Sequence, residues 1–283
     1  MRTATLVLLI AVVALTLASV GTAEAGRGGS PELIRSAIAA NSIDAIQAEL
    51  EHGEYLVCAA CADLVLPLVD HPDYRVRKVA AWWLVRRATG RQVYVNMLGR
   101  LSQPDSVKAA NAADVLGEFG YAAAIPALAA GLSNPIFADT ARAAMARALG
   151  AIGKSASQTA LVTALAPSQP AAVKSASLAA LRAIGGFKDS AVVEPLLSDA
   201  DADVRAQAAL TMGDTRTAGG VAALVRVLTS DPSANVRKKA AWALGEIHAP
   251  AADAATGLQQ AASSDASPLV RSLAQVAIGK LAR

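Results

Sequence analysis

The chain has 283 residues, with 26 lysines and arginines against 23 acids and a formal net charge of +3. A charge this small excludes a general nucleic-acid binder, which needs a strongly basic surface. With 54% apolar and 17% charged residues the chain is not disordered; with only 4% aromatics, its alanine-rich apolar share favours closely packed helices over sheets.

In chain order, residues 1–25 read as a cleavable signal peptide. Arg2 precedes an uncharged stretch, Ala4–Val20, and Ala23 and Ala25 flank Glu24 as a small-x-small site, with cleavage after Ala25. The competing reading is an uncleaved membrane anchor, since about 17 apolar residues stand at the lower limit of a span. Cleavage makes the mature protein periplasmic or secreted, with no membrane span after it. Later apolar runs are broken by Arg, Lys and Asp at helical spacing. Residues 26–53 are expected to start flexibly at Gly26–Ser30 and to form one or two short capping helices over Pro31–Leu50.

Residues 54–283 are a repeat array. Val76–Leu84, Val204–Met212, Val236–Gly245 and Val270–Gly279 each open on Val-Arg, place small residues four and five positions on (Gln275 at five in the last), and a large aliphatic eight positions on. Lys108–Gly117, Ala141–Gly150 and Val173–Leu181 are weaker copies. The eighth-position anchors Leu84, Leu116, Leu149, Leu181, Met212, Leu244 and Ile278 are spaced by 32, 33, 32, 31, 32 and 34 residues. Positions zero, four and eight fall on one helical stripe, which is the face to be buried. Turns with helix-start chemistry precede the frames, among them Asp70-His71-Pro72-Asp73, Gln103-Pro104-Asp105 and Asp231-Pro232. Upstream of each turn stands another apolar-periodic helix, such as Val221–Leu228. A helix–turn–helix unit cannot bury its own apolar face, so the units must stack.

The Asp-Pro, short gap and Val-Arg-x-x-Ala-Ala-x-Ala-Leu-Gly pattern, fullest at Asp231–Gly245, resembles the HEAT-repeat family, in particular the short HEAT-like repeats of phycobilisome lyases. The resemblance covers residues 54–283 and implies an all-α fold, a right-handed α-solenoid of about seven repeats. It also implies that the second residue of the frame (Arg77, Arg142, Arg205, Arg237, Arg271) forms a structural ladder with acids of nearby repeats. The signature residues of tetratricopeptide and ankyrin repeats are missing.

The resemblance also brings in two kinds of enzyme. Deoxyhypusine hydroxylase holds two irons through His-Glu pairs, but none of His52, His71 and His248 is followed by Glu, and Glu246 and His248 are two apart, on different helix faces. Bilin lyases handle a tetrapyrrole; Cys58 is the only counterpart to suggest itself, and nothing marks a pocket around it. No nucleophile elbow, phosphate loop or dinucleotide fingerprint occurs. No catalytic, cofactor or metal residue is therefore assigned. Gly185-Gly186 and Gly219-Gly220 read as turns between helices. The Cys58 and Cys61 pair has three readings: a local disulfide in an oxidising compartment, two buried thiols filling core space, or a redox or metal site. A zinc site would need about four ligands, and two cysteines are all there are.

Frame positions two, six and ten point away from the buried stripe. They hold Lys78, Trp82 and Arg86 in the first repeat and Lys238, Trp242 and Glu246 in the sixth, and in repeats three to five mostly small residues. A tryptophan among cations suits a binding hot spot, and it equally suits packing on a neighbouring helix. From His71 to Arg100 seven cations face one acid, Asp73. With Arg77 read as structural, Arg86, Arg87 and Arg91 are the better binding candidates, beside Lys78, Trp82, Lys238 and Trp242. The sequence thus points to an exported, non-catalytic scaffold that binds another protein, without cofactor or nucleic acid. The alternative is an accessory to an enzyme or to a chromophore or redox system.

Overall fold

The computed structural model of the chain describes residues 30–56, 58–216, 219–248 and 252–281. The expected signal peptide, residues 1–25, lies outside the described residues. The chain opens on α1 (Pro31–Ala39) and α2 (Ile43–His52), begun by the Ser30 and Ser42 hydroxyls, each of which accepts a backbone N–H three residues on. Then come α3 (Ala59–Val65) with a 3-10 turn over Leu66–Asp70, α4 (Tyr74–Val85), α5 (Gly90–Arg100), α6 (Ser106–Phe119), α7 (Ile125–Ser133) and α8 (Asp139–Ile152). The second half holds α9 (Gln158–Thr163), α10 (Ala171–Ile184), α11 (Ser190–Val193) with a 3-10 turn over Glu194–Ser198, α12 (Ala202–Thr215), α13 (Val221–Ser230), α14 (Ala234–Ile247), α15 (Ala252–Ser264) and α16 (Pro268–Leu281). No strand occurs among the described residues.

The helices form two layers. Every even-numbered helix packs on the next even-numbered one, from α2 on α4 to α14 on α16, and every odd-numbered helix packs on the helix that follows it. The molecule is an all-α solenoid. The pair α1–α2 joins the same two layers, α1 against α3 and α2 against α4, so the cap continues the stacking without carrying the frame residues. The frame explains the packing. Val76, Val173, Val204, Val236 and Val270 at position zero are buried, as are Ala80, Ala112, Met145, Ala208, Ala240 and Ala274 at position four. At position eight Leu84, Leu116, Leu149, Leu181, Met212 and Leu244 have no exposed surface.

Position nine sets the distance between even-numbered helices. A Cβ on Gly117 would lie 2.9 Å from the Ala148 Cα, one on Gly150 2.8 Å from the Ala180 Cα, and one on Gly213 2.9 Å from the Ala243 Cα; at Gly245 it would lie 3.0 Å from the Ala277 Cα. Each glycine receives the alanine at position seven of the next even-numbered helix, backbone against backbone. Apart from α13 on α15, the odd-numbered helices touch one another far less, so the even layer is the tighter one and makes the concave side of the array.

A ladder of ion pairs and hydrogen bonds ties the repeats. The Arg205 guanidinium donates to the Asp199 and Ala200 carbonyls of its own turn (2.9 and 3.0 Å) and pairs with Asp231 in the turn of the next repeat at 2.7 Å. Arg237 does the same with the Asp231 carbonyl (2.8 Å) and Asp265 (2.7 Å). Lys174 pairs with Asp199, and Arg142 donates to Gln169. Asp199, Asp231 and Asp265 each also accept the backbone N–H two residues on, so one carboxylate both shapes its turn and holds the preceding repeat.

Candidate protein-binding face

Two grooves open on the concave face. One, of about 640 Å³, crosses α2, α4 and α6 and is lined chiefly by Glu51, Glu54, Tyr74, Lys78, Trp82 and Glu118. The other, of about 590 Å³, crosses α8, α10 and the start of α12. Its floor is Ala143, Ser175, Ala176 and Ala179, with Arg147 and Asp203 at its edges. Small side chains form this floor because frame position two holds Ala143, Ser175 and Ala206 in this part of the array, and position six of the fourth repeat is Ala179.

The sequence-derived candidates do not form one cluster. Lys78 and Arg86 are exposed and Trp82 is half-buried, packed against the core, with the Arg86 guanidinium 4.4 Å from its ring centre. Arg87 turns inward, contrary to its reading as a binding residue. It donates to the Trp83 carbonyl (2.5 Å) and to the Gly53 and Glu54 carbonyls (2.9 and 3.0 Å), and lies over the Trp83 ring. Burial, with the charge of Arg86, pushes its pKa down to about 10. Its neighbour Trp83 is fully buried and donates to the Gly53 carbonyl at 3.1 Å, so the pair locks α4 to the end of the cap. Arg91 opens α5, in the outer layer, and does not line the groove. In the sixth repeat Lys238 and Trp242 are half-buried, the Trp242 ring lying against Gly213 of α12.

The dense cations of His71–Arg100 are mostly neutralised by acids from other elements. Arg77 pairs with Asp114 of α6 at 2.6 Å, Arg100 with Asp70 at 2.6 Å, Arg86 with Glu54 at 3.6 Å, and Arg75 with Asp73 and Asp44. The groove beside Trp82 is therefore mixed in charge, with Glu51, Glu54 and Glu118 facing Lys78 and Arg75. The sequence reading counted Asp73 but did not pair Asp114, Glu54 or Asp70 with these cations, since those three acids lie outside the helix that carries the cation each one meets. Arg77 is structural, as the ladder expectation had it, although its acid comes from the helix of the next repeat and not from its turn.

The cysteine sulfurs stand in disulfide-bonding contact, with the Cα atoms 5.2 Å apart. Cys58 makes this reach because it caps α3 in an extended conformation, φ −143° and ψ 105°, outside the helical turn. Among the described residues no three of His, Cys, Asp and Glu converge as a metal site, and no helix is long and apolar enough to cross a membrane.

The family described as HEAT repeats matches residues 95–182 and 190–279, more than half of the chain. No curated protein matches it in sequence. Among solved structures, the chain is similar to YibA of Escherichia coli, at 16% identity over 90% of this chain and 93% of that one, with a TM-score of 0.58. The complex of CpcE and CpcF of phycocyanin lyase from Nostoc sp. PCC7120 matches at 22% identity over 78% and 94%, with a TM-score of 0.44. Human deoxyhypusine hydroxylase matches at 17% identity over 88% and 99%, with a TM-score of 0.40.

Proposed function

This chain belongs to the HEAT-repeat family, and on that footing we propose that it is an exported, non-catalytic scaffold that holds another protein along the concave face of its solenoid. The observation that carries the reading is the pair Trp82 and Trp242. They occupy the same frame position, five repeats apart, half-buried on one face with a floor of alanine and serine between them. With even-numbered helices about 8–10 Å apart, five steps span about 40–50 Å, which suits an elongated partner held at two aromatic anchors. Export rests on residues 1–25 and agrees with a cysteine pair placed for oxidation.

An affinity-tagged chain, crosslinked in the envelope of the producing cells, tests this. We expect one protein species to be recovered, and to be lost when Trp82 and Trp242 are both replaced by alanine in a chain whose helical content is unchanged. Intact mass of the same preparation should show the chain beginning at Gly26 and about two hydrogens lighter than after reduction. Recovery that ignores both tryptophans would contradict the binding reading, and an uncleaved, reduced chain would contradict export.

A further inference from the structure

The unbalanced charge of the concave face lies in its C-terminal half, away from the stretch where arginines are densest. Lys238 and Lys239 stand at frame positions two and three of α14, one turn before Trp242. Neither makes an ion pair with a described residue. Position three is uncharged in every other repeat, as Val79, Asn111, Ala144, Ala176, Gln207 and Leu273. Lys239 is half-buried there, and burial, with the charges of Lys238 and Arg182, holds its ammonium below the usual lysine range. Arg182 comes from α10 and is itself paired, donating to Asp214 at 2.5 Å and to Gln207 of α12 at 3.3 Å. The next acid along α14, Glu246, is engaged by Lys280 and Arg216. Two lysines are thus left without a counter-charge beside an aromatic ring seated over Gly213.

A half-buried cation crowded by two others weakens the fold, and neither the ladder nor the core uses it. We propose that Lys238, Lys239 and Trp242, with Arg182 behind them, form a receptor for an acidic polypeptide segment. Its carboxylates pair with the two lysines, and an apolar side chain beside them stacks on the Trp242 ring. The proposal deepens the scaffold reading and rests on the concave face being the working surface. A nucleic acid fits poorly, because it offers a long run of phosphates and the patch is two lysines wide, bounded by Asp214 and Glu246. A bilayer fits poorly because a planar surface does not reach the floor of a concave face.

The test is fluorescence anisotropy of the purified chain with a labelled peptide of repeated Glu-Glu-Leu-Glu units. Binding is expected, falling steeply with salt. Lys238→Gln with Lys239→Gln should weaken it at least about tenfold, as should Trp242→Ala, the size of effect usual for a hot-spot contact. A Lys-Lys-Leu-Lys peptide should not bind. Lys239→Gln should leave the melting temperature unchanged or higher, whereas a lysine that supports the fold would lower it. The inference is overturned if the acidic peptide does not bind, if the lysine substitutions leave its affinity intact, or if heparin or phosphatidylglycerol vesicles are preferred to it. Loss of binding through Lys78→Gln and Trp82→Ala instead would move the site to the N-terminal groove and leave the scaffold reading standing. That reading fails separately, if no protein is crosslinked in the envelope.

Discussion

At the scale of single residues, the turn aspartates carry more than their spacing suggests. Asp265 has only 6% of its side chain exposed and is bound by Arg237 through both oxygens, at 2.7 and 2.9 Å. The hydrogen bond from Arg237 holds its pKa below the usual carboxylate range against the opposing effect of burial, helped by the Ser267 N–H and the charges of Arg237 and Arg271. Asp199 ends up low as well: burial pushes its carboxyl up, and the hydrogen bonds from Lys174 and the Asp201 N–H, with the nearby cations, more than offset it. A carboxylate whose folded pKa is below its unfolded value, about 3.9, stabilises the fold above that value. The contribution is lost as pH falls through the folded pKa. Asp265→Asn should therefore cost about 2 kcal/mol at pH 7, the scale of a hydrogen bond to a charged group. The gap between wild type and variant in thermal melts should shrink as pH falls towards about 2. A gap constant over that range would mean that the ionised carboxylate is not what the rung uses.

At the scale of the helix, two glycines at the same frame position should respond in opposite ways. A Cβ on Gly150 would sit 2.8 Å from both Cα and Cβ of Ala180, so α8 and α10 must move apart to admit it. Gly279, in the last helix, has nothing within 4 Å. Gly150→Ala should destabilise by about 1–3 kcal/mol through overpacking. Gly279→Ala should stabilise by up to about 1 kcal/mol from helix propensity. Denaturant titration of the two variants checks the pair, and equal effects would refute the seam. The same frame shows what was legible in the sequence. The anchors at position eight and the small residues at four and five mark the buried stripe, because helical periodicity alone decides which side chains share a face. Arg87 was not legible. Its spacing from Trp83 places it one turn on, but the carbonyls of Gly53 and Glu54 that draw it inward come from the end of the cap. The acids that neutralise Arg77, Arg86 and Arg100 were hidden for the same reason: pairing across elements depends on the stacking, which one helix does not encode.

At the scale of the whole molecule, stability and binding have different geometries. Stacking joins each repeat only to its neighbours, so stability is close to a sum over repeats and interfaces. Removing residues 204–235 deletes α13 and all but the first two residues of α12, and joins Asp203 to Val236 of α14, one frame to the next in register. The shortened chain should keep its helical circular dichroism and unfold at lower denaturant. Collapse of all helical signal would show that the array is one indivisible core. The frame that makes repeats interchangeable leaves positions two, three and six free to differ. The solenoid was legible from the repeat for that reason. The residues proposed to bind, the uncompensated Lys239 above all, emerged only when the charges of neighbouring helices could be set against each other.

The central claim is that a protein partner lies along the even-numbered helices. Site-specific photo-crosslinking in the producing cells tests it most directly, with the reactive side chain placed in turn at Trp82, Ala179 and Trp242 on the concave face and at Val95 and Thr159 on the outer helices. The account predicts adducts to one and the same protein from the three concave positions and none from the two outer ones. Adducts from Val95 and Thr159, with the concave positions silent, would contradict it.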